Sequence, residues 1–285
     1  MIDDPYYSVR LSLVEQINRD RASAALRPVE LDVLSSTVGD RHCQEMSANR
    51  LLSHWNLRGL RPYHRYHLAG GRDHVQENLS RVTVFTNIPI PIPTQPQEIL
   101  PHMLRAEKRM FEEKPPLDGH RKNILDPAHT HVGIGFAVVG REFTLSQQFL
   151  NRFVRLKELP AAMPRGTIRV EGEMLRKDFG PYYCVLFHDG ELKPWTVEQL
   201  NQTYAYSDVS GTICAKVPPW EMRFSRSSGR FSFSVRASNC GPGYYHLLLW
   251  VRDDIGSIPY QMYQGGSFGV DTKDATPCAG WVLHR

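Results

Sequence analysis

The sequence predicts an α+β chain in two parts, a helical half closed by antiparallel strands and then a half made of short strands. Three observations carry this. Apolar residues recur at helical spacing through much of residues 7 to 153. "HVGIGFAVVGREFTLSQQF", 131 to 149, reads as two strands around a tight turn at Gly140-Arg141. Beyond it come "GTIRVEGE", "YYCVLFHD", "GTICAKV", "RFSFSVRA", "YYHLLLWVR" and "GSFGVD", separated by glycine and proline turns. Helices followed by antiparallel strands suit a layered α+β architecture. About six to eight short strands suit an antiparallel β-sandwich.

Taken in order, Leu11, Val14 and Ile17 are spaced for one face of a first helix. A second carries Leu34, Val38, His42 and Met46 at intervals of four. "IPIPIPTQPQE", 88 to 98, is proline-rich and reads as an extended loop leading into a third helix. That helix carries Ile99, Met103, Ala106 and Met110, and Pro115-Pro116 ends it. "GHRKNILDP" opens a short helix at His120 and stops it at Pro127. "RLKELPAAMPRG", 155 to 166, reads as a linker. The division expected is 1–154, linker 155–166 and a β-sandwich over 167–285. "GYYHLLLWVRDD" alternates poorly, which suits a central strand covered on both faces.

The bulk properties exclude several classes. Net charge is +4 and the pI is near 8.8, but no Lys/Arg block stands out, so no nucleic-acid partner is expected. No apolar run reaches the ~18 residues of a membrane span. "MIDDPYYSV" has neither a basic nor an apolar leader region. The chain is therefore either cytosolic or a secreted or cell-surface protein whose signal has been removed. Cys43 stands alone, while Cys184, Cys214, Cys240 and Cys278 share the second half. Those four allow two disulfides by three connectivities, or four buried thiols. The disulfide reading points to an oxidising compartment.

Histidine and carboxylate are what metal sites and acid–base sites share. His54 sits in "LLSHW", Glu77 in "VQENLS", Glu112 and Glu113 at the end of the third helix, and His120 in "GHRKNILDP". No HExxH is present, since "HCQEM" lacks the second histidine. There is no GxSxG and no phosphate-cradling glycine loop.

These stretches resemble the CAP superfamily, which includes cysteine-rich secretory, antigen 5 and pathogenesis-related proteins. The likeness is to its bacterial, secreted SCP-like branch. "INRDRASAALRPVELDVLSSTVGDRHCQEM" resembles its opening two helices, and "LLSHW" its first histidine segment. "VQENLS" resembles its Gly-Glu-Asn stretch, with Gln76 in place of the glycine. "DGHRKNILDPAHTHVGIGFAV" and "FTLSQQF" resemble its second histidine segment and last strand. The likeness covers about 7 to 153 and implies a CAP-type α-β-α sandwich. It also implies a cavity of two histidines and two glutamates: His54, Glu77, His120 and one glutamate of the third helix. Counting from Met110 favours Glu113 over Glu112.

Such a set suits a divalent metal, zinc above all, held by His54 and His120. Glu77 and Glu113 (or Glu112) would then be ligands or orienting groups. The function expected is a secreted binding protein for that metal and a small ligand. One alternative is a metal-dependent hydrolase of peptides or cell-wall material, with Glu77 or Glu113 as general base. Another is a surface protein that docks a partner or glycan through the β domain.

The remaining histidines read as packing. His42 lies on an apolar stripe and is expected in the core. His129 and His131 are expected at the surface or strand edge, although their alternation would also suit a chelating pair. The resemblance places His64, His67 and His74 near the cavity mouth, in a polar loop packed by Tyr63 and Tyr66. In the second half Trp195, Trp220, Tyr244, Tyr245, Trp250, Tyr260 and Tyr263 are expected mostly as packing, with sugar stacking the alternative.

Overall fold

The computed structural model describes residues 4–83, 95–140, 142–160, 162–164, 166–207, 211–237, 241–253, 260–262, 268–270 and 272–285. The proline-rich run 88–94, Arg141 and Cys240 lie outside them, as does Tyr263. The chain forms two compact units. The first comprises residues 1–69, 75–150 and 193–206, and the second residues 70–74, 151–192 and 207–285.

In the first unit the elements run α1 (Tyr7–Ser23), β1 (Glu30–Leu31), α2 (Val33–Asn49), α3 (Pro62–Leu68), β2 (His74–Thr83), α4 (Pro96–Phe111), α5 (Gly119–Ile124), β3 (His131–Val139) and β4 (Glu142–Asn151). Its sheet has the order β1-β3-β4-β2. β1 joins β3 in parallel, and β3 and β4 form the expected antiparallel pair. Gly140 takes φ 58° between them, a conformation glycine reaches without a Cβ clash.

The two faces of this sheet are built differently. Val132, Ile134, Phe143, Leu145 and Phe149 face α1 and α4 in one apolar cluster. All four residues expected on the third helix, Ile99, Met103, Ala106 and Met110, are buried there. On α1, Val14 and Ile17 are buried, but Leu11 is exposed and Leu13 takes its place. On α2, Val38, His42 and Met46 are buried while Leu34 is exposed. This helix lies on the other face, against Gly133 and Gly135 of β3. A Cβ at either glycine would collide with Ser35 or with the backbone of Gly39. The resulting layers are helix, sheet and helix.

In the second unit two four-stranded sheets pack face to face. The first has the order β5 (Val154–Leu156), β6 (Gly166–Met174), β10 (Arg230–Ala237), β9 (Arg223–Phe224). The second has the order β14 (Thr276–His284), β11 (Tyr244–Arg252), β7 (Gly180–Gly190), β8 (Thr212–Val217). Strands β12 (Tyr260–Met262) and β13 (Phe268–Val270) form a separate hairpin. Ile168, Val170, Phe231, Phe233, Leu186, Leu247 and Leu249 share the core between the sheets. Each such fully buried side chain contributes about 1.5–3 kcal/mol of burial. β11 is central and buried on both faces, with Leu249 in that core and Leu248 packed with Val185 and Phe187 on the far side.

The cysteines do not form two disulfides. Cys214 is disulfide-bonded, whereas Cys43, Cys184 and Cys278 are buried free thiols. Cys184 on β7 and Cys278 on β14 are separated by β11. Two strand spacings put them roughly 10 Å apart, beyond the ~7 Å between Cα atoms that a disulfide spans.

Candidate functional site

His54 sits on the chain that leaves α2 through Arg50, whose left-handed φ of 53° turns the backbone. Its own backbone is clamped on each side. The carbonyl of Ser53 accepts from His42 Nε2 at 2.8 Å, and the carbonyl of His54 accepts from Arg65 Nη1 at 2.6 Å. The imidazole Nδ1 lies 3.0 Å from Glu77 Oε2. A carboxylate there can only accept, so Nδ1 carries a hydrogen, and in the neutral form of the ring the lone pair is on Nε2.

Glu77, on β2, is buried and surrounded by donors. Its Oε1 accepts from Arg65 Nη2 at 2.8 Å, Ser146 Oγ at 3.1 Å and Gln148 Nε2 at 3.2 Å. Burial alone would raise its carboxyl pKa. The Arg65 guanidinium and the His54 hydrogen bond outweigh burial and hold it well below the usual carboxylate range. Arg65 was not anticipated by the sequence reading, which took this stretch for a polar loop. It is the helix α3, with Pro62 in its first turn.

His120, in the first turn of α5, has the same arrangement with a different carboxylate. Its Nδ1 lies 2.5 Å from Glu113 Oε1, and its backbone N–H donates to Glu113 Oε2 at 3.0 Å. Both glutamate oxygens are thus engaged by one residue. Glu112 is not part of this pair. It is exposed, and among the described residues its ion-pair contact is with Lys108 one turn back, at 3.7 Å.

Among the described residues no hydrogen bond or ion pair joins the His54–Glu77 pair directly to the His120–Glu113 pair. Neighbours on β2 provide the link. Glu77 points to the α2 face and reaches His54, while Asn78 points to the other face and donates from Nδ2 to the His120 carbonyl at 3.2 Å. Asn78 also anchors a buried polar chain. Its Nδ2 donates to Gln147 Oε1 at 3.1 Å, and its Oδ1 accepts from Asn123 at 2.9 Å. Gln147 in turn donates to Glu107 of α4. Glu107 is fully buried, and its Oε1 has no hydrogen-bond partner among the described residues. Burial, only partly offset by Gln147, pushes its pKa up to about 8, so it is protonated at neutral pH.

A second unanticipated component comes from residues 193–206, which in sequence lie between β7 and β8 and in space pack in the first unit. The Tyr206 hydroxyl accepts from the Glu77 N–H at 2.9 Å, and its ring lies 4.6 Å from the His54 ring. Trp195 stacks on Trp55 at 5.8 Å. Leu200, on the short helix α6 (Val197–Leu200), is fully buried with Met46, Leu51 and Leu79.

The other histidines resolve individually. His42 is a core residue: burial and then Arg65 lower its pKa to about 3, so it is neutral. His129 is buried rather than at the surface, stacked on Phe149 and 2.8 Å from Asn123 Oδ1. It therefore makes no chelating pair with His131, which contacts Thr130. His64 and His67 are buried on α3, with His64 Nδ1 accepting from the Arg61 N–H. His74 falls in the second unit, 3.3 Å from Asn151.

The second-half aromatics are mostly packed, as expected. Tyr245 is in the core, and Tyr183 and Trp250 pair at 5.8 Å. Trp220 is about half exposed.

The chemistry of the donor set fits a divalent metal. It offers two imidazoles, each backed at Nδ1 by a carboxylate, as metal-bound histidines usually are. Among the described residues no group of three or more His, Cys, Asp or Glu side chains is placed to hold a metal ion.

Residues 14–149 match the model of the CAP family, described as the cysteine-rich secretory protein family. The protein YkwD of Bacillus subtilis (strain 168), itself described as uncharacterized, is 27% identical over 140 residues. That alignment covers 49% of this chain and 46% of the relative, so the chain spans about half the length of the curated relative it matches. An extracellular protein containing an SCP domain from Bacillus anthracis aligns at 19% identity and TM-score 0.38, over 50% of this chain and 40% of that one. An outer surface protein of Borrelia burgdorferi aligns at 16% identity and TM-score 0.40, over 51% of this chain and 94% of that one. Residues 14–149, which hold the helix–sheet–helix layers and the two His–Glu pairs, are thus the part of this chain that matches the CAP family.

Proposed function

We propose that the first unit is a binding module of an exported bacterial CAP protein, and that His54 and His120 bind a divalent cation, with zinc the best match to nitrogen donors. One observation carries the reading. Each imidazole is held through Nδ1 by a carboxylate, which leaves Nε2 as the nitrogen that its neutral form can offer to a metal. Glu77 and Glu113 act as orienting groups, because their oxygens are already engaged. Water would complete the coordination shell. A bound zinc ion would supply a Lewis-acidic centre with open positions for a small anionic or carbonyl ligand.

Export is supported by the disulfide at Cys214. No helix among the described residues is long and apolar enough to cross a membrane. Binding is favoured over hydrolysis. A general base must be free to take a proton, but Glu77 is held ionised by Arg65 and three further side-chain donors.

The test is zinc titration of the full chain, read by calorimetry and by the shift in Tm. Wild-type protein is expected to take up zinc and gain stability. His54→Ala and His120→Ala are each expected to abolish uptake if one ion is shared. Unchanged uptake in the double variant would overturn the reading.

A further inference from the structure

The outer face of the sheet β5-β6-β10-β9 carries an ordered array of charge. Glu173 on β6 stands opposite Arg155 of β5 and opposite Arg230 of β10. Residues directly opposite share a face, so these three form one rung. On the next rung of that face, Glu171 stands opposite Ser232, and Ser232 opposite Arg223 of β9. Lys157 Nζ closes this rung 2.6 Å from Glu171. Along β6 the side chains of Ile168, Val170 and Met174 are buried and those between them face outward. A groove of about 800 Å³ crosses both rungs, lined by Arg155, Lys157, Arg223 and Arg230 together with Ser225 and Ser232.

The charges on this face do not cancel. Lys157 and Arg169 both contact Glu171 at 2.6 Å, so that carboxylate is already compensated. Arg155, Arg223 and Arg230 make no ion pair among the described residues, and only Glu173 stands between two of them. Guanidinium groups suit carboxylate, phosphate and sulfate oxygens in paired hydrogen bonds.

Spacing selects the kind of anion. Arg155 and Arg230 lie two strands apart, roughly 10 Å between backbones, with Glu173 between them, so a small anion drawn in by both would lie against that carboxylate. A polymer with repeated charges reaches both. The face also interleaves acceptors with the arginines: Glu173 and the hydroxyls of Ser225 and Ser232. A DNA strand carries a phosphate on every nucleotide and no hydroxyl donors between them to meet Glu173 and the serines. A membrane surface would call for exposed apolar side chains, and neither rung of this face carries one. A chain that alternates anionic groups with hydroxyl donors matches both halves of the pattern.

We propose that this face of the second unit binds an acidic polysaccharide laid across the strands. Its anionic groups sit on Arg155, Arg223 and Arg230, and its hydroxyls donate to Glu173 and the serines. The site is independent of the His54 and His120 proposal and stands whether or not a metal binds there.

The experiment uses the full chain and five probes: polygalacturonate, dextran sulfate, neutral dextran, a single-stranded oligonucleotide and phosphatidylglycerol vesicles. Binding to one or both acidic polysaccharides is expected, weakening as salt rises, with none to neutral dextran. Arg155→Ser/Arg223→Ser/Arg230→Ser is expected to weaken binding by about tenfold or more and to flatten its salt dependence, with an unchanged circular dichroism spectrum. Replacing the same three arginines by lysine should retain most of the salt-dependent binding. A control that removes equal charge from the first unit, Arg27→Ser/Arg41→Ser/Arg109→Ser, should leave binding intact. Equal loss in the control, tighter binding to the oligonucleotide or the vesicles, or no binding at low salt would each overturn the proposal.

Discussion

The two units bury different things. Of the buried polar and charged side chains among the described residues, only Asp73, His74, Asn151 and His246 belong to the second unit. The first unit buries the remainder, including Arg10, Arg21, His42, Glu77 and Glu107. The second is an apolar sandwich with its charges on the outside, whereas the first has charges and amides inside the sheet and helix layers. Burying such groups stabilises only when every partner is present. The first unit therefore accepts fragile internal chemistry in exchange for fixed side-chain positions around His54 and His120, and the second keeps its interior simple and leaves its chemistry to the surface.

Breaking the first unit's network should have the largest effect. Arg65→Ala strands the buried Glu77 carboxylate and is expected to destabilise by about 3–5 kcal/mol. Hydrogen exchange at 33–83, set against exchange in β7 and β11, would localise the loss. Equal loosening in the sandwich strands would contradict the contrast between the units.

A smaller effect of opposite sign is expected at Glu107. Its folded pKa of about 8 lies above the unfolded value of 4.5. The folded state therefore holds an extra proton between those values, and stability falls as pH rises through that window. Glu107→Gln removes this penalty. It should stabilise by on the order of 3 kcal/mol at pH 8 and by little below about pH 4.5. A Tm gain that did not depend on pH would show that Glu107 is not a buried acid.

The smallest effect separates the two adjacent glutamates. Glu112→Ala removes only an exposed pair with Lys108 and should change stability by less than about 0.5 kcal/mol. Glu113→Ala frees His120 Nδ1 and should lower zinc uptake as well, which calorimetry on both variants would read.

What the sequence made legible follows from the range of the forces involved. His54, Glu77 and His120 lie in short stretches with a family pattern, and α4 announced its buried stripe by spacing. Counting from Met110 favoured Glu113 but left Glu112 open, because α4 ends at Phe111 and the reach back from His120 depends on the chain after the helix. Arg65 was missed because α3 has only seven residues, too few for periodicity to register. Its one signal was the proline in its first turn. Glu107 had a clearer mark: it lies four residues after Met103 and three before Met110, a carboxylate on an apolar stripe. Residues 193–206 had no mark at all, since nothing in their local pattern points to a helix some 150 residues earlier.

That segment also sets the order in which the molecule can be finished. The Leu52 N–H donates to Asn201 across 149 residues, and Ser53 meets Thr203 across 150. A nascent chain that has released only its first 150 residues lacks Leu200 to cover Met46, Leu51 and Leu79, and it lacks Tyr206 beside Glu77. Much of the sandwich sequence must be synthesised before the CAP layers can close around His54, so the first unit to begin folding is not free to complete it alone. Contacts of such long separation slow folding more than they reduce final stability.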